Sequence, residues 1–378
     1  MPSSTPRLFV SLIGDIQNEP SAQVKYGHFL KALETQFKLV VYDATLRGFP
    51  RLVNQMQVFH PDITLWKERF YQNVPAFKMR SEKMAAALKK EIGRVDAIFQ
   101  IGVLWDTLWK DAPIPSVIYT DYTSTLASRK PEWGRSPLSP ADLAAWLSME
   151  KKAYQRSSHI CTRGQYVRQS VINDYGIPET KVTAIGGGVN FGALPEPSNR
   201  PLSSSPTILF IGKDFLRKGG DVLIRAFQKV RKSAPDARLV MMTAGIPQEQ
   251  YDLTGVEIIE PTWNREKICE LYRGADCFVL PSRLETWGDV ILEAMSFGLP
   301  CIGVSGEAMS EIIEDGRTGL VIPPNDEDAL EKALLWLLSN RENARQYGSA
   351  ARERVETLYT WEVVSKKLVP IVISAIRS

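Results

Sequence analysis

Histidine, cysteine and unbroken apolar sequence are what this chain has least of. Of its 378 residues, three are histidine (His28, His60, His159) and four are cysteine (Cys161, Cys269, Cys277, Cys301). No histidine pair has metal-ligand spacing and no Cys-x-x-Cys occurs, so a zinc site and a redox pair are both disfavoured. The thiols lie in apolar surroundings and read as reduced and buried, as in a cytosolic protein. No run approaches the ~18 consecutive apolar residues of a membrane-spanning helix. The first strand begins within a few residues of Met1, without a leader of signal-peptide type. Its loop holds Gly14 alone where a dinucleotide fingerprint needs Gly-x-Gly-x-x-Gly, which argues against a dehydrogenase. A net charge of +3 implies no nucleic-acid partner.

What is present is ordinary globular composition, 44% hydrophobic and 24% charged, in a chain long enough for two domains. The charge is uneven: residues 1–200 hold 25 Lys and Arg against 18 Asp and Glu, while the rest is net acidic. Apolar strands are predicted at Leu8–Ile13, Lys38–Tyr42, Ala97–Ile101 and Ser116–Thr120, alternating with helices, the pattern of a doubly wound parallel sheet. Phe191–Pro206, with four prolines, reads as a linker. The alternation restarts at Thr207–Ile211 and continues through Arg238–Thr243 and Val256–Ile259. The segment Trp66–Arg94 interleaves cations with Trp66, Phe70, Tyr71 and Phe77. It is either a surface for anionic lipid, a peripheral membrane contact, or a surface helix with a Met84/Leu88 core edge.

The most informative stretch is Pro281 to Pro300. The short run Cys277–Leu280 reads as a buried strand, a loop follows through Gly288, and an apolar helix carries Glu293 before Gly298 and Pro300 end it. A strand, tight loop and helix N-terminus together favour an anion, because unpaired N–H groups point outward there. Glu285 and Glu293 flank the site; on one helix this spacing would leave them about 80 degrees apart. Acids beside an anion site suit a ligand with hydroxyls and phosphates, a sugar nucleotide.

This block resembles the signature of family 4 retaining glycosyltransferases of the GT-B fold: Glu285-x7-Glu293, with Trp287-Gly288 in the aromatic-glycine position and Asp289-Val290 leading into the helix. The resemblance implies an α/β protein of two doubly wound, Rossmann-like domains facing across a cleft. They would comprise 1–190 for the acceptor, linker 191–206, 207–358 for the nucleotide sugar, and 359–378 returning to the first domain. In that family the first Glu contacts sugar hydroxyls and the second the ribose. The loop after Thr207–Ile211, Gly212-Lys213-Asp214-Phe215-Leu216-Arg217-Lys218-Gly219-Gly220, resembles the element that grips the diphosphate. Lys213 stands where Arg is usual, losing its bidentate fork; Lys218 matches, and Arg217 is a further cation. Trp263 or Arg265 would flank the base. Glu307–Ile313 and Gly316–Val321 complete the family pattern.

In the first half, Asp121 ends a strand where many family members carry His. It either orients the acceptor hydroxyl, accepts its proton, binds a donor hydroxyl or caps the next turn. The Pro-rich loop Arg129–Pro140, with Trp133, is a candidate acceptor lid. The family's usual Gly-Gly before the first helix is replaced by Pro20-Ser21-Ala22. The resemblance implies metal-independent transfer of a hexose-type sugar from a UDP or GDP sugar, with no cofactor, to a glycan, lipid or small-molecule hydroxyl. Asp121, Glu285, Lys213 and Lys218 would be catalytic. The alternatives are a non-catalytic binding subunit, or another GT-B enzyme such as a sugar phosphorylase or epimerase. The location expected is cytoplasmic, or peripheral on the cytoplasmic membrane face.

Overall fold

The computed structural model describes residues 5–133, 138–197 and 205–378. Part of the Pro-rich loop (134–137) and of the linker (198–204) therefore lies outside the described residues. The chain divides into two compact units, Met1–Gly186 with Val364–Ser378, and Gly187–Val363.

The first unit is built on six parallel strands, β1 (Arg7–Leu12), β2 (Lys38–Asp43), β3 (Ala97–Ile101), β4 (Ser116–Thr120), β5 (His159–Thr162) and β6 (Val182–Ala184). Their order is β2-β1-β3-β4-β5-β6. Connecting helices are α1 (Pro20–Glu34), α2 (Gly48–Gln57), α3 (Ile63–Tyr71), α4 (Val74–Glu91), α5 (Ser124–Ser128), α6 (Pro140–Arg156) and α7 (Gln165–Asn173). Every residue of β3 and β4 is buried, which is why these strands read as continuous apolar runs: helices cover both faces of the sheet.

The basic, aromatic segment 66–94 is not one helix. Asn73 breaks it, capping α4 by accepting a hydrogen bond from the Ala76 N–H. Phe77, Met84 and Leu88 of α4 are buried, so its apolar edge is core and its lysines are the solvated side.

The second unit has β7 (Thr207–Asp214), β8 (Arg238–Ala244), β9 (Val256–Ile259), β10 (Cys277–Val279), β11 (Cys301–Val304) and β12 (Gly319–Ile322) in the order β12-β11-β10-β7-β8-β9, again all parallel. Its helices are α8 (Gly220–Ser233), α9 (Arg265–Arg273), α10 (Asp289–Ser296), α11 (Met309–Ile312), α12 (Glu327–Ser339) and α13 (Arg341–Leu358). The last helix, α14 (Trp361–Arg377), starts in this unit, where Trp361 Nε1 donates to Asn190 Oδ1 at 3.2 Å. It ends in the first, where Lys367 Nζ donates to the Ile185 carbonyl at 3.4 Å.

Both strand orders have one reversal. In the second sheet the chain runs outward from β7 to β9, then returns to place β10 on the other side of β7. The loops after β7 and β10 therefore leave in opposite directions and open a crevice at the strands' carboxyl ends, where such sheets hold ligands. In the first sheet the reversal falls between β1 and β3.

Candidate active site

The two loops at the β7/β10 reversal carry most of the residues singled out in the sequence. The β7 loop turns into α8 at Gly219, which has φ +74, and an added Cβ would lie 2.0 Å from the Pro281 carbonyl oxygen. The β10 loop turns into α10 at Gly288, with φ +97. Glycine is needed at both, for the left-handed turn and, at Gly219, for the close approach of the two loops. The loops are then tied together. Arg283 N–H donates to the Arg217 carbonyl at 2.9 Å, and Arg217 Nη1 to the Leu284 carbonyl at 3.1 Å. Arg283 also grips Asp221 with two nitrogens, at 2.6 and 2.8 Å. Nothing in the sequence alone points to this bidentate clamp.

Within this frame Lys218 forms an ion pair with Glu285, both side chains nearly buried. Buried Gly212 lies beside the lysine stem. Glu285 is fixed from behind as well, its N–H donating to Glu307 Oε2 at 2.8 Å. The 80-degree estimate does not apply to the two acids, because Glu285 lies in the loop and only Glu293 is helical. Glu293 has separate partners: Arg265 Nη2 at 3.0 Å and the Tyr272 hydroxyl at 3.1 Å. Burial raises its carboxyl above the ordinary 4.5, against the pull of Arg265.

The cations divide by role. Lys213 is exposed and makes no ion pair among the described residues. Arg217 braces the loop, its Nε on Asp214 at 3.0 Å. Arg265 pairs with Glu293. Trp263 stands exposed in the loop before α9, whereas Trp287 is buried edge-on against Tyr359. Asp289 and Val290 form the first turn of α10, and the Val290 carbonyl accepts from Tyr272 at 3.2 Å. Glu307 and Tyr272 join the site although sequence reasoning assigns neither a role there. Glu307 stands out only as part of a longer pattern, and Tyr272 has the spacing of any core aromatic of α9. The Asp-x-Asp triplet Asp326-Glu327-Asp328 is structural. Asp326 caps α12, while Glu327 and Asp328 pair with Arg225 and Lys229.

The first unit has its own cavity, about 530 Å³, at the β1/β3 reversal. Asp121 lines it, half-buried, just after β4. Asp121 is not the cap of the next helix, because Thr123 caps α5 by accepting from Leu126 N–H at 3.2 Å. Lys25 lines the same cavity and is kept protonated chiefly by Tyr26, with Asp121 adding. Glu150 is buried at the wall, accepting from Tyr175 (2.7 Å) and Tyr154 (3.1 Å), and burial raises its carboxyl. Sequence alone gave no signal for Glu150, an acid in the middle of a helix. His159 is structural, with Nε2 2.9 Å from Thr183 Oγ1. Cys161, Cys277 and Cys301 are buried free thiols, while Cys269 is only half-buried.

Comparison with known proteins accords with this geometry. Residues 196–354 match the family described as glycosyl transferases group 1. A glycogen synthase of Mycobacterium tuberculosis is 25% identical over 277 residues, which is 71% of this chain but only 64% of that enzyme. Among solved structures, sucrose-phosphate synthase from Thermosynechococcus elongatus superposes with a TM-score of 0.71 at 18% identity, covering 98% of both chains. Anabaena HepE, solved with UDP and glucose, has a TM-score of 0.63 at 13% identity, covering 98% of this chain and all of that one. With its two reversed parallel sheets the chain has the GT-B fold, and the stretch that carries the signature at the second reversal is similar to the group 1 glycosyl transferases.

Proposed function

We propose that the protein is a retaining glycosyltransferase that moves a hexose-type sugar from a UDP or GDP sugar to a hydroxyl acceptor, without a metal ion. The observation that carries this reading is the buried Lys218–Glu285 pair at the sheet reversal. A cation suited to phosphate and an acid suited to sugar hydroxyls are held side by side, beside the N-termini of α8 and α10. Glu293, steadied by Arg265 and Tyr272, is suited to the ribose hydroxyls. Exposed Lys213 is available to the diphosphate. The UDP and glucose of the structurally similar HepE support a donor of this class.

In the reaction the bond from the sugar's anomeric carbon to the leaving phosphate oxygen breaks, and the acceptor oxygen bonds to the same face. The acceptor proton passes to that phosphate oxygen. Charge builds on the leaving diphosphate, and preorganised cations there lower the barrier by several kcal/mol, on the order of 10²–10³ in rate per donor. Glu285, tied to Lys218, positions the sugar rather than attacking it. We assign Asp121 to the acceptor hydroxyl, in the cavity of the first unit.

The test is turnover of UDP-glucose and GDP-mannose with a panel of hydroxyl acceptors, following nucleoside diphosphate release and the product anomer by NMR. Retention is expected, together with losses of about 100-fold or more in Lys218→Ala and Glu285→Gln. Near-normal turnover in either variant, an inverted product, or a requirement for inorganic phosphate would contradict the assignment.

A further inference from the structure

Helix α2 is amphipathic in the opposite sense to a helix lying on a globular surface. Its buried residue is polar: Asn54, whose Nδ2 donates to the Phe70 carbonyl at 2.9 Å. Its apolar residues face out, with Phe49 76%, Leu52 52% and Met56 71% exposed. Phe59, in the loop that follows, is 65% exposed and Ile63, at the start of α3, 62%. Trp66 fastens α3 to this face, its Nε1 donating to the Gln55 carbonyl at 3.1 Å and its ring edge-on to Phe59. Arg51 and Lys67 stand exposed beside the stripe and make no ion pair among the described residues.

A cluster of large exposed apolar side chains on a globular fold marks a contact surface. An apolar stripe flanked by cations fits the boundary between headgroups and acyl chains of an anionic bilayer, where phosphates neutralise the cations. A second copy of the chain is the poorer occupant. A two-fold contact sets the same patch against itself, bringing Arg51 and Lys67 towards their own counterparts. We infer that the stripe Phe49–Leu52–Met56–Phe59–Ile63 docks the first unit on an anionic lipid surface. This is not the surface predicted from sequence. The lipid-surface reading of the sequence centred on 66–94, where Phe77 and Met84 of α4 are core. Arg51 and Tyr71 also line the cavity that holds Asp121. The bilayer therefore presents hydroxylated headgroups next to that cavity, a step that rests on the transfer reading above.

The experiment is co-sedimentation of the full chain with phosphatidylglycerol vesicles and with phosphatidylcholine vesicles. Wild type should partition onto the anionic vesicles about tenfold more strongly or better. Phe49→Ser/Met56→Ser should lower that partition about tenfold or more, with an unchanged circular dichroism melt, since both side chains are exposed. Lys67→Glu should lower it at low salt, and serves as the second probe should the double variant misfold. Absence of partition by wild type, or variants that bind as wild type does, would overturn the inference. So would a concentration-dependent dimer that the double variant disperses, which would assign the stripe to a second copy. Sugar nucleotide hydrolysis without vesicles reports on the transfer reading alone, so the two can fail separately.

Discussion

Lys218 and Glu285 sit so far from solvent that neither is easily left alone. Removing one member of a buried pair strands the other charge, at a cost of about 3–5 kcal/mol, whereas replacing both with groups of similar shape is often near neutral. Lys218→Met and Glu285→Gln should therefore each lower stability in urea unfolding, while the double variant recovers much of the loss and stays inactive. Strict additivity would show that the pair is not coupled. Glu150 makes a different case. Burial raises its carboxyl above the ordinary 4.5, and no cation pairs with it among the described residues. The folded state thus holds that proton more tightly than the unfolded chain. Stability from this group is full below the ordinary value and is lost as pH rises through the raised one. Glu150→Gln, which mimics the protonated acid, should narrow the drop in melting temperature between acid and neutral pH; an unchanged slope would count against this. Glu285 and Lys218 were legible because their neighbours repeat a family block. Glu150 and Tyr272 were not, because their roles depend on what the fold brings opposite them.

The loops at the β7/β10 reversal are held by backbone geometry as much as by side chains. Gly219 combines a left-handed φ with a carbonyl oxygen 2.0 Å from where a Cβ would stand, whereas Gly245 has a similar φ of +75 and open space around it. Gly245→Ala should cost about the 1–2 kcal/mol of left-handed strain alone. Gly219→Ala should cost clearly more in the same urea titration, because the two loops must separate; equal costs would mean the approach is slack. The elements themselves were largely legible. β3, β4 and β9 fall on their predicted bounds, since buried parallel strands leave unambiguous apolar patterns. Helix α2 left no such signal. Its outward face is apolar and its inward residue is Asn54, so periodicity gives no sign of which side is the core. Of the two readings of 66–94, the surface helix with a Met84/Leu88 core edge holds for α4, where both side chains are buried.

On the scale of the whole chain, two sheets of six parallel strands each reverse order once, and each reversal gathers acids and cations at strand ends. Everything proposed for the chemistry requires the second unit's reversal to be the donor site. Hydrogen–deuterium exchange of the full chain, with and without UDP and GDP, tests that most directly, since a bound ligand suppresses local opening. The expected result is that at least one of the two slows exchange in residues 212–221 and 282–293 more than anywhere else in the chain. Protection centred in residues 5–133, or none with either nucleotide at saturating concentration, would contradict it.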